Sequence, residues 1–186
     1  MALRTGTYAL GPDAGRLLLR TSRSGVGRKV GHDLTIEVTR WSGEAVVDPA
    51  DPTSLSVNVD AEADSLRVRE GTGGVKPLTD SDRAEIEKNA RQKILHAADH
   101  PLISFRSTGA QGSPESFTLT GELTIMGRTR PLTVSGAVED DRVRGRATVV
   151  QTEWGIKPYS ALLGALRLAD EVEVEFDLAL RTVTSR

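Results

Sequence analysis

The chain has 186 residues, a formal net charge of −2 at pH 7 and a pI near 6.0. This balance gives no general reason to expect a nucleic-acid-binding protein, whose usual footprint is a strongly basic surface. There is no cysteine, so disulfides, thiolate metal sites and cysteine nucleophiles are excluded.

The length and the N-terminal residues set the expected class of protein. A chain of this length can form one domain with a substantial core, so we expect a single domain over residues 1–186. The first residues lack the unbroken apolar segment of a secretory signal. No run approaches the roughly 18 apolar residues of a transmembrane helix. The sequence therefore predicts a cytoplasmic protein with no transmembrane segment.

Alternation of apolar and polar residues runs through most of the chain. A period of two places every apolar side chain on one face of a β-strand. The segments with this pattern, in chain order, are 16–22, 32–47, 55–61, 102–108, 119–126, 132–138, 142–154 and 171–180. Eight or nine strands with one apolar face each are typical of an antiparallel barrel or sandwich.

One segment, 79–101, has helical rather than strand periodicity. Its apolar residues recur at helical spacing, as Ile86, Ala90 and Ile94. Its acids precede its bases, which complements the helix dipole. Thr79 or Ser81 can cap the first turn, and Pro101 prevents continuation. The sequence therefore predicts one helix over about residues 80–98, inserted into an otherwise all-β fold.

A second irregular segment, 157–170, connects two strands and is rich in leucine. Leucines normally belong to the core, so one interpretation is a packed turn or short helix that plugs one end of the barrel. The other interpretation is an apolar lid or portal. The leucines concerned are Leu162, Leu163, Leu166 and Leu168.

The sequence offers little catalytic chemistry. His96 and His100 have the spacing of a zinc-binding helix, but the glutamate of the metalloprotease motif is missing. The glycine-rich stretches 25–31 and 70–77 lack the spacing of phosphate-binding loops and are better explained as turns. The acids of the last strand take its outward parity, which indicates a solvated face. We therefore expect no enzyme activity, metal or cofactor.

His32 shares the parity of the apolar residues that follow it. If Leu34, Ile36 and Val38 point inward, His32 does too, at the end of its strand. There it could hold the head group of a ligand, or it could be satisfied by a backbone carbonyl.

What the shared apolar face encloses decides the function. An eight-stranded barrel is just wide enough to be filled by side chains or to hold one small ligand. Only 4% of the residues are aromatic, and an aliphatic gap would gain about 0.8 kcal/mol for each CH₂ that it buries. Gly121 interrupts the apolar row formed by Leu119, Leu123 and Ile125, and indicates either a bend or room for a ligand.

Four motifs carry a resemblance to a known family. They are a proline-led strand, a hairpin of the form G-x-L-T-I-x-G-x-T-x-P, an aromatic–glycine strand end and a closing strand that follows an aspartate. The matching residues, in this order, are Pro101, Ile103, Phe105, Ser107 and Thr108; Gly121, Leu123, Thr124, Ile125, Gly127, Thr129 and Pro131; Trp154 and Gly155; Asp170 and Val172. Together they resemble the YceI-like family of lipocalin-like polyisoprenoid-binding proteins.

The resemblance implies an extended eight-stranded antiparallel lipocalin-like β-barrel with a helix packed alongside, often as a homodimer. It also implies an apolar tunnel for a long-chain lipid of the isoprenoid, quinone or fatty-acyl type, carried or sequestered without catalysis. The alternative is a packed barrel that acts as a structural or protein-interaction module with no lipid cargo. The candidate ligand-binding residues are His32, Leu34, Ile36, Val38, Ile103, Phe105, Leu119, Leu123, Ile125, Leu132, Val134, Trp154 and Phe176.

Overall fold

The computed structural model describes residues 3–161, 163 and 166–181, with the backbone alone at Leu166. These residues form antiparallel β-strands and one α-helix, α1 (Asp80–Asn89), between the seventh and eighth strands. The strands are β1 (Gly6–Leu10), β2 (Gly15–Thr21), β3 (Arg23–Ser24), β4 (Asp33–Val38), β5 (Trp41–Val47), β6 (Ser56–Glu62), β7 (Leu66–Thr72), β8 (Leu102–Ser113), β9 (Ser116–Ile125), β10 (Arg128–Glu139), β11 (Arg142–Val150), β12 (Ser160–Ala161), β13 (Leu166–Leu168) and β14 (Glu171–Ala179).

Eleven of the strands form one antiparallel sheet in the order β1-β5-β6-β8-β9-β10-β11-β14-β2-β4-β7. In the ladders that join β8, β9 and β10, Phe105 lies opposite Leu123 and Leu119 lies opposite Val134. Because side chains alternate across a strand, this register places the predicted inward residues of neighbouring strands on the same face.

The large sheet curls until its two ends meet at one corner. Only Thr39 and Arg40 separate β4 from β5, and only residues 63–65 separate β6 from β7. The amide of Thr39 donates to the carbonyl of Ser65, and the amide of Glu62 donates to the carbonyl of Arg40, both at 3.0 Å. Since β4 pairs with β7 and β5 pairs with β6, the ladder continues through the bend and the sheet encloses a lumen.

The corner explains why the strands outnumber the eight that the sequence predicts. Three long segments of the wall are each interrupted in the middle, so each is counted as two strands: β1–β2, β4–β5 and β6–β7. Together with β8, β9, β10, β11 and β14 they make eight wall segments. At the corner the next inward side chain after Val38 is Trp41, and the run that ends at Ala61 resumes at Leu66. These separations are odd numbers of residues, so the inward parity changes there and simple alternation does not predict it. The predicted all-β barrel with one inserted helix is confirmed.

Helix α1 begins where the sequence predicts and ends earlier. The hydroxyl of Thr79 accepts the amide of Asp82 at 3.1 Å, and the Asp82 carboxylate accepts the amide of Thr79 at 2.9 Å, which is a capping box. The helix widens into one π-type turn, Ala90–Ile94, and stops there rather than near residue 98. His96 adopts a left-handed backbone with φ of 46°, which a right-handed helix cannot contain.

The helix packs against the outer edge of β7, which pairs only with β4 among the described strands. The carboxylate of Glu87 accepts the amide of Val68 at 2.9 Å, and Arg83 donates to the carbonyl of Arg69 at 3.2 Å. These contacts supply partners that a further strand would otherwise supply. The helix therefore completes the barrel wall beside β7. In the described part of the chain, no helix is long and apolar enough to cross a bilayer.

A small sheet of order β12-β13-β3 lies at one end of the barrel. Ser24 lies opposite Arg167, and Ser160 also lies opposite Arg167 on the other side of β13. This sheet joins the connection that precedes β4 to the connection that precedes β14. The loop between β7 and α1 emerges at the same end, because β7 runs antiparallel to β4.

Within the leucine-rich segment, Leu166–Leu168 form β13 of this small sheet, and Leu163 has 3₁₀-helical geometry. Leu168 faces the lumen, and Leu163 is fully exposed. Leu162 and the side chain of Leu166 lie outside the described residues.

Candidate ligand-binding lumen

The lumen contains two adjoining cavities. The first, which we call the narrow chamber, has a volume of about 250 Å³, and the second, the wide chamber, has a volume of about 790 Å³. Four residues line both chambers and mark their junction: Leu17, Ile103, Val149 and Val174. The wide chamber alone falls within the range of about 300–1,000 Å³ that is typical of small-molecule sites.

The narrow chamber is walled by apolar side chains from the strands between β5 and β14 in the sheet order. They include Trp41, Val57, Val59, Phe105, Phe117, Leu119, Leu123, Leu132, Val134, Val143, Phe176 and Leu178. Asp48 and Ser113 are the polar side chains among the lining residues, and both lie where a strand ends. A wall of this composition suits a hydrocarbon chain and offers few partners to a polar head group.

Three inward glycines make room for the three phenylalanine rings of the chain. The pairs of ring and glycine are Phe105 with Gly121, Phe117 with Gly136, and Phe176 with Gly145. A Cβ atom at any of these glycines would overlap the paired ring. Each ring therefore occupies wall space that a second side chain would otherwise take, which reduces how far it projects into the lumen.

The interpretation of Gly121 is settled by this pairing. The space left by its missing side chain is filled by the ring of Phe105, whose Cζ atom would lie 2.5 Å from a Cβ at that position. It is therefore not space for a ligand. Sequence alternation could not show this, because the ring belongs to a residue on the neighbouring strand, diagonal to the glycine.

The wide chamber has a mixed wall of strand, helix and loop. The predicted apolar stripe of the helical segment faces it, through Ile86, Ala90, Ile94 and Leu95. Opposite the helix, β2 and β4 contribute Leu19, Leu34, Ile36 and Val38. Part of this wall is thus an element that is attached to the sheet by side chains rather than by a continuous strand ladder.

Polar residues collect at the mouth of the wide chamber. His32 lines this chamber, and its Nε2 lies 2.7 Å from the carbonyl oxygen of Lys76, so Nε2 is the nitrogen that carries a proton. Arg23 donates to the carbonyl of Gly31 at 2.8 Å and to the carboxylate of Asp33 at 3.1 Å. Both expectations for the location of His32 therefore hold: it lies at the mouth, and a backbone carbonyl satisfies it. Its contact with a ligand stays a prediction.

The structure brings twelve of the thirteen candidate residues to the lumen. Those on the wide chamber are His32, Leu34, Ile36, Val38 and Ile125, those on the narrow chamber are Phe105, Leu119, Leu123, Leu132, Val134 and Phe176, and Ile103 lines both. Their role in ligand binding stays a prediction.

Trp154 is placed differently from the other candidates. It is 1% exposed, lines neither chamber, and donates its indole N–H to the carbonyl of Leu123 at 2.9 Å. It packs in a cluster with Ile125 and Ile156. The structure therefore gives Trp154 a packing position behind the lumen wall, which the position of the motif along the chain could not reveal.

Several lumen residues are absent from the candidate set although the sequence contains their signal. Besides the candidate Phe176, the alternating residues of β14 and its end that line a chamber are Val172, Val174, Leu178 and Leu180. Val149 and Leu17 lie on strands that the alternation also predicts. Alternation does not predict Trp41 as inward, because the parity changes at the corner between β4 and β5.

The charged residues of the last strand and their partners on neighbouring strands lie on the outer face of the barrel wall, as the parity of the last strand predicts. Glu175 pairs with Arg20 at 2.6 Å, and Asp177 pairs with Arg142 at 2.6 Å and Arg144 at 3.1 Å. Partial burial opposes ionisation of Asp177, but hydrogen bonds from both arginines outweigh it and lower the pKa of Asp177 below its ordinary value. These charges stabilise the outside of the wall and leave the lumen apolar.

Metal chemistry finds no support in the described part of the chain. It contains no group of three or more His, Asp or Glu side chains that could hold a metal ion. His96 and His100 lie in the turn after the helical segment, where the amide of His100 donates to the carbonyl of His96. The arrangement that stands out is an apolar lumen with polar groups at one mouth, on a curled antiparallel sheet of lipocalin-like class.

Comparison with known families agrees with that class. The model of the YceI-like domain matches residues 18–180. The chain belongs to the YceI-like family.

Relatives in sequence and structure are more distant. A UPF0312 protein of Pseudomonas aeruginosa is 30% identical over 106 residues, which are 51% of this chain and 53% of that protein, so the match spans about half of each. BcnA of Burkholderia cenocepacia shares the fold with a TM-score of 0.63 at 16% identity, covering 89% of this chain and 96% of that one. A Campylobacter jejuni YceI protein gives a TM-score of 0.59 at 12% identity, covering 80% and 85%.

Proposed function

We propose that the protein binds a long-chain apolar lipid of the isoprenoid, quinone or fatty-acyl type inside its barrel and carries or sequesters it without catalysis. The observation that carries the proposal is the pair of adjoining chambers, which share Leu17, Ile103, Val149 and Val174 as common wall. Two chambers in sequence form an elongated space, which fits a chain better than a compact molecule. Membership of the YceI-like family supports the same conclusion.

The energetics favour a hydrocarbon chain as cargo. Each CH₂ group that leaves water gains about 0.8 kcal/mol, so a chain of about ten groups gains about 8 kcal/mol before the entropic cost of association is subtracted. A polar group in the narrow chamber would lose its hydration and find few hydrogen-bond partners. The chain is therefore expected to enter with its apolar end first.

The mouth of the wide chamber is the expected location of any polar head group. Arg23 and Asp82 both line this chamber, and Lys76 and His32 adjoin them. Nε2 of His32 is engaged with the Lys76 carbonyl, which leaves Nδ1 as the ring nitrogen available to accept a hydrogen bond. The head group would thus remain close to water while the chain is buried.

Extraction of the purified protein with organic solvent, followed by mass spectrometry, tests the proposal. We expect a long-chain lipid in near-stoichiometric amount from the wild-type protein. Val149→Phe places a larger side chain at the junction of the chambers, so its cargo should fall at least several-fold or shift to shorter chains. Thr148→Phe adds a ring to the same strand at an exposed position and serves as the matched control.

An empty wild-type extract together with an experimental structure whose lumen is filled by side chains would contradict the proposal. The packed structural or interaction module would then be the better description. Equal loss of cargo in Val149→Phe and Thr148→Phe would assign the effect to the fold rather than to the lumen.

The homodimer and the cytoplasmic location also stay proposals. Sedimentation equilibrium of the purified chain should give twice the 20.0 kDa mass of one chain if it dimerises. Fractionation of cells that express the intact gene tests the location, and recovery in the soluble cytoplasmic fraction is the expected result.

A further inference from the structure

Large exposed apolar side chains concentrate at the mouth of the wide chamber. Seven are found among the described residues: Val26, Val30, Val46, Val75, Leu102, Tyr159 and Leu163. All but Val46 and Leu102 belong to the connections at the mouth. Val26 is 93% exposed, Val75 is 74% exposed and Leu163 is fully exposed. A folded protein gains nothing in water from such a distribution, so these residues indicate a contact surface.

Three loops carry these side chains and surround one opening. We call them the rim loops: residues 25–31, residues 73–78, and residues 155–161 with Leu163. Val30, Val75 and Tyr159, one from each loop, line the wide chamber while remaining exposed.

Hydrogen bonds hold the rim loops beside one another. The His32 ring, next to the first loop, bonds to the carbonyl of Lys76 in the second at 2.7 Å. The pairing of β3 with β13 joins the first loop to the third, and the amide of Leu168 donates to the carbonyl of Tyr159 at 3.0 Å. The exposed apolar residues are therefore presented together rather than on independent loops.

The rim loops are also positively charged. Arg28, Lys29, Lys76 and Lys157 are exposed, and none forms an ion pair with an acid in the described part of the chain. The loops contain no Asp or Glu, although the whole chain has a net charge of −2. The acids nearest in the lining, Asp82 and Glu85, belong to α1.

We propose that the rim loops dock on the surface of an anionic phospholipid bilayer, with the opening of the wide chamber facing the membrane. Exposed aliphatic tips can enter the acyl boundary of the bilayer while adjacent Lys and Arg side chains contact anionic head groups. This surface goes beyond the proposed function, because it assigns a partner to the outside of the protein and does not require a filled lumen. Its apolar side chains come from three loops held side by side, which suits insertion into a fluid interface.

Flotation with phospholipid vesicles tests the proposal on the full chain. We expect the protein to float with vesicles that contain phosphatidylglycerol, to bind pure phosphatidylcholine vesicles more weakly, and to dissociate as salt is raised. R28Q/K29Q should weaken the binding to anionic vesicles by about an order of magnitude or more. V26S/V75S should weaken it by a similar factor, because these tips lose their favourable transfer into the bilayer.

Matched variants elsewhere on the surface provide the controls. V46S/L102S removes two exposed apolar side chains, and R130Q/R146Q removes two exposed positive charges, all outside the rim loops. Both should bind vesicles as the wild type does. Three results would overturn the proposal: equal weakening in rim and control variants, equal binding to neutral and anionic vesicles, or no binding at all. The rim loops would then be better explained as a surface that contacts another protein.

The failure of this proposal is distinguishable from failure of lipid carriage. Val149→Phe changes the lumen and leaves the rim loops intact, so it should float with anionic vesicles even where its cargo is lost. R28Q/K29Q changes two residues that line neither chamber, so this variant should still yield lipid on extraction. Loss of flotation in Val149→Phe would contradict the separate role of the rim.

Discussion

The two chambers differ in how their walls are made. The narrow chamber is walled mainly by strands joined in continuous ladders, and its three phenylalanine rings pack against glycines of neighbouring strands. The wide chamber is enclosed partly by α1 and by loops, which contact the sheet through side chains such as Glu87 and His32. A ladder resists deformation at every residue, whereas a helix held by a few side chains can move as a unit. We infer that the narrow chamber fixes the shape of the bound chain and that the wide chamber admits it.

The largest loss of stability is expected in the wall of the narrow chamber, at a glycine that contacts a phenylalanine ring. In Gly145→Ala the added methyl group overlaps both the ring of Phe176 and the carbonyl oxygen of Ser135, which would lie 2.5 Å from it. The backbone contact cannot be relieved by a rotamer change, so the free energy of unfolding should fall by about 3 kcal/mol. Urea denaturation measures this loss.

Gly109→Ala is the matched control, because the nearest atom there is the hydroxyl of Thr120 at 3.2 Å, at the end of a side chain. Its effect should be clearly smaller. The double variant Gly145→Ala/Phe176→Leu should recover part of the lost stability, since the smaller side chain relieves the overlap with the ring. Equal losses for the two glycine variants would contradict the pairing of ring and glycine.

The second prediction tests whether the walls of the two chambers open independently. Glu87→Ala removes the acceptor of the Val68 amide and should lower the free energy of unfolding by about 1–2 kcal/mol. Hydrogen exchange should accelerate at Val68 and in α1, while amides of β9 and β10 remain protected. Glu87→Gln keeps an acceptor oxygen and should restore much of the protection, and Lys88→Ala on the exposed side of the helix is the control. Equal acceleration in β9 and β10 would show that the two walls do not behave independently.

The sequence predicts much of the wall and little of the space inside it. Alternation identifies the strands and their inward residues because each strand has one face exposed to solvent. It misses the parity change between Val38 and Trp41, since that depends on pairing with Ser65 across the corner. The family motif also places Trp154 among the lumen candidates, because a motif shared with a family does not distinguish a tryptophan that lines the cavity from one that packs behind the wall.

A smaller effect is expected at the start of the helix that closes the wide chamber. Thr79→Ala removes the hydroxyl that accepts the amide of Asp82, and caps of this kind are worth about 1 kcal/mol. The melting temperature should fall modestly, and exchange should increase in the first turn of α1. Thr79→Ser keeps the hydroxyl and should behave as the wild type. A loss of the same size in Thr79→Ser would exclude the cap as the cause.

The smallest effect concerns a surface cluster on the outer wall of the narrow chamber. The Ser104 hydroxyl, at 2.6 Å from Asp60, and Arg106 lower the pKa of Asp60 below its ordinary value. The stabilisation is therefore present above the unfolded pKa and is lost as pH falls through the folded pKa, below about 4. Because the pair is exposed, Asp60→Asn should cost less than about 1 kcal/mol at pH 7. Chemical denaturation at pH 7 and pH 3 should show this difference shrinking in acid, and a difference that grows in acid would contradict the assignment.

A crystal structure of the protein purified with its natural cargo tests the central claim most directly. We predict continuous density for one chain that begins beside Phe176 in the narrow chamber, passes Val149 at the junction, and ends at the mouth near His32. Density confined to the outer surface, or a lumen in which side chains from opposite walls meet and leave no channel, would contradict the account.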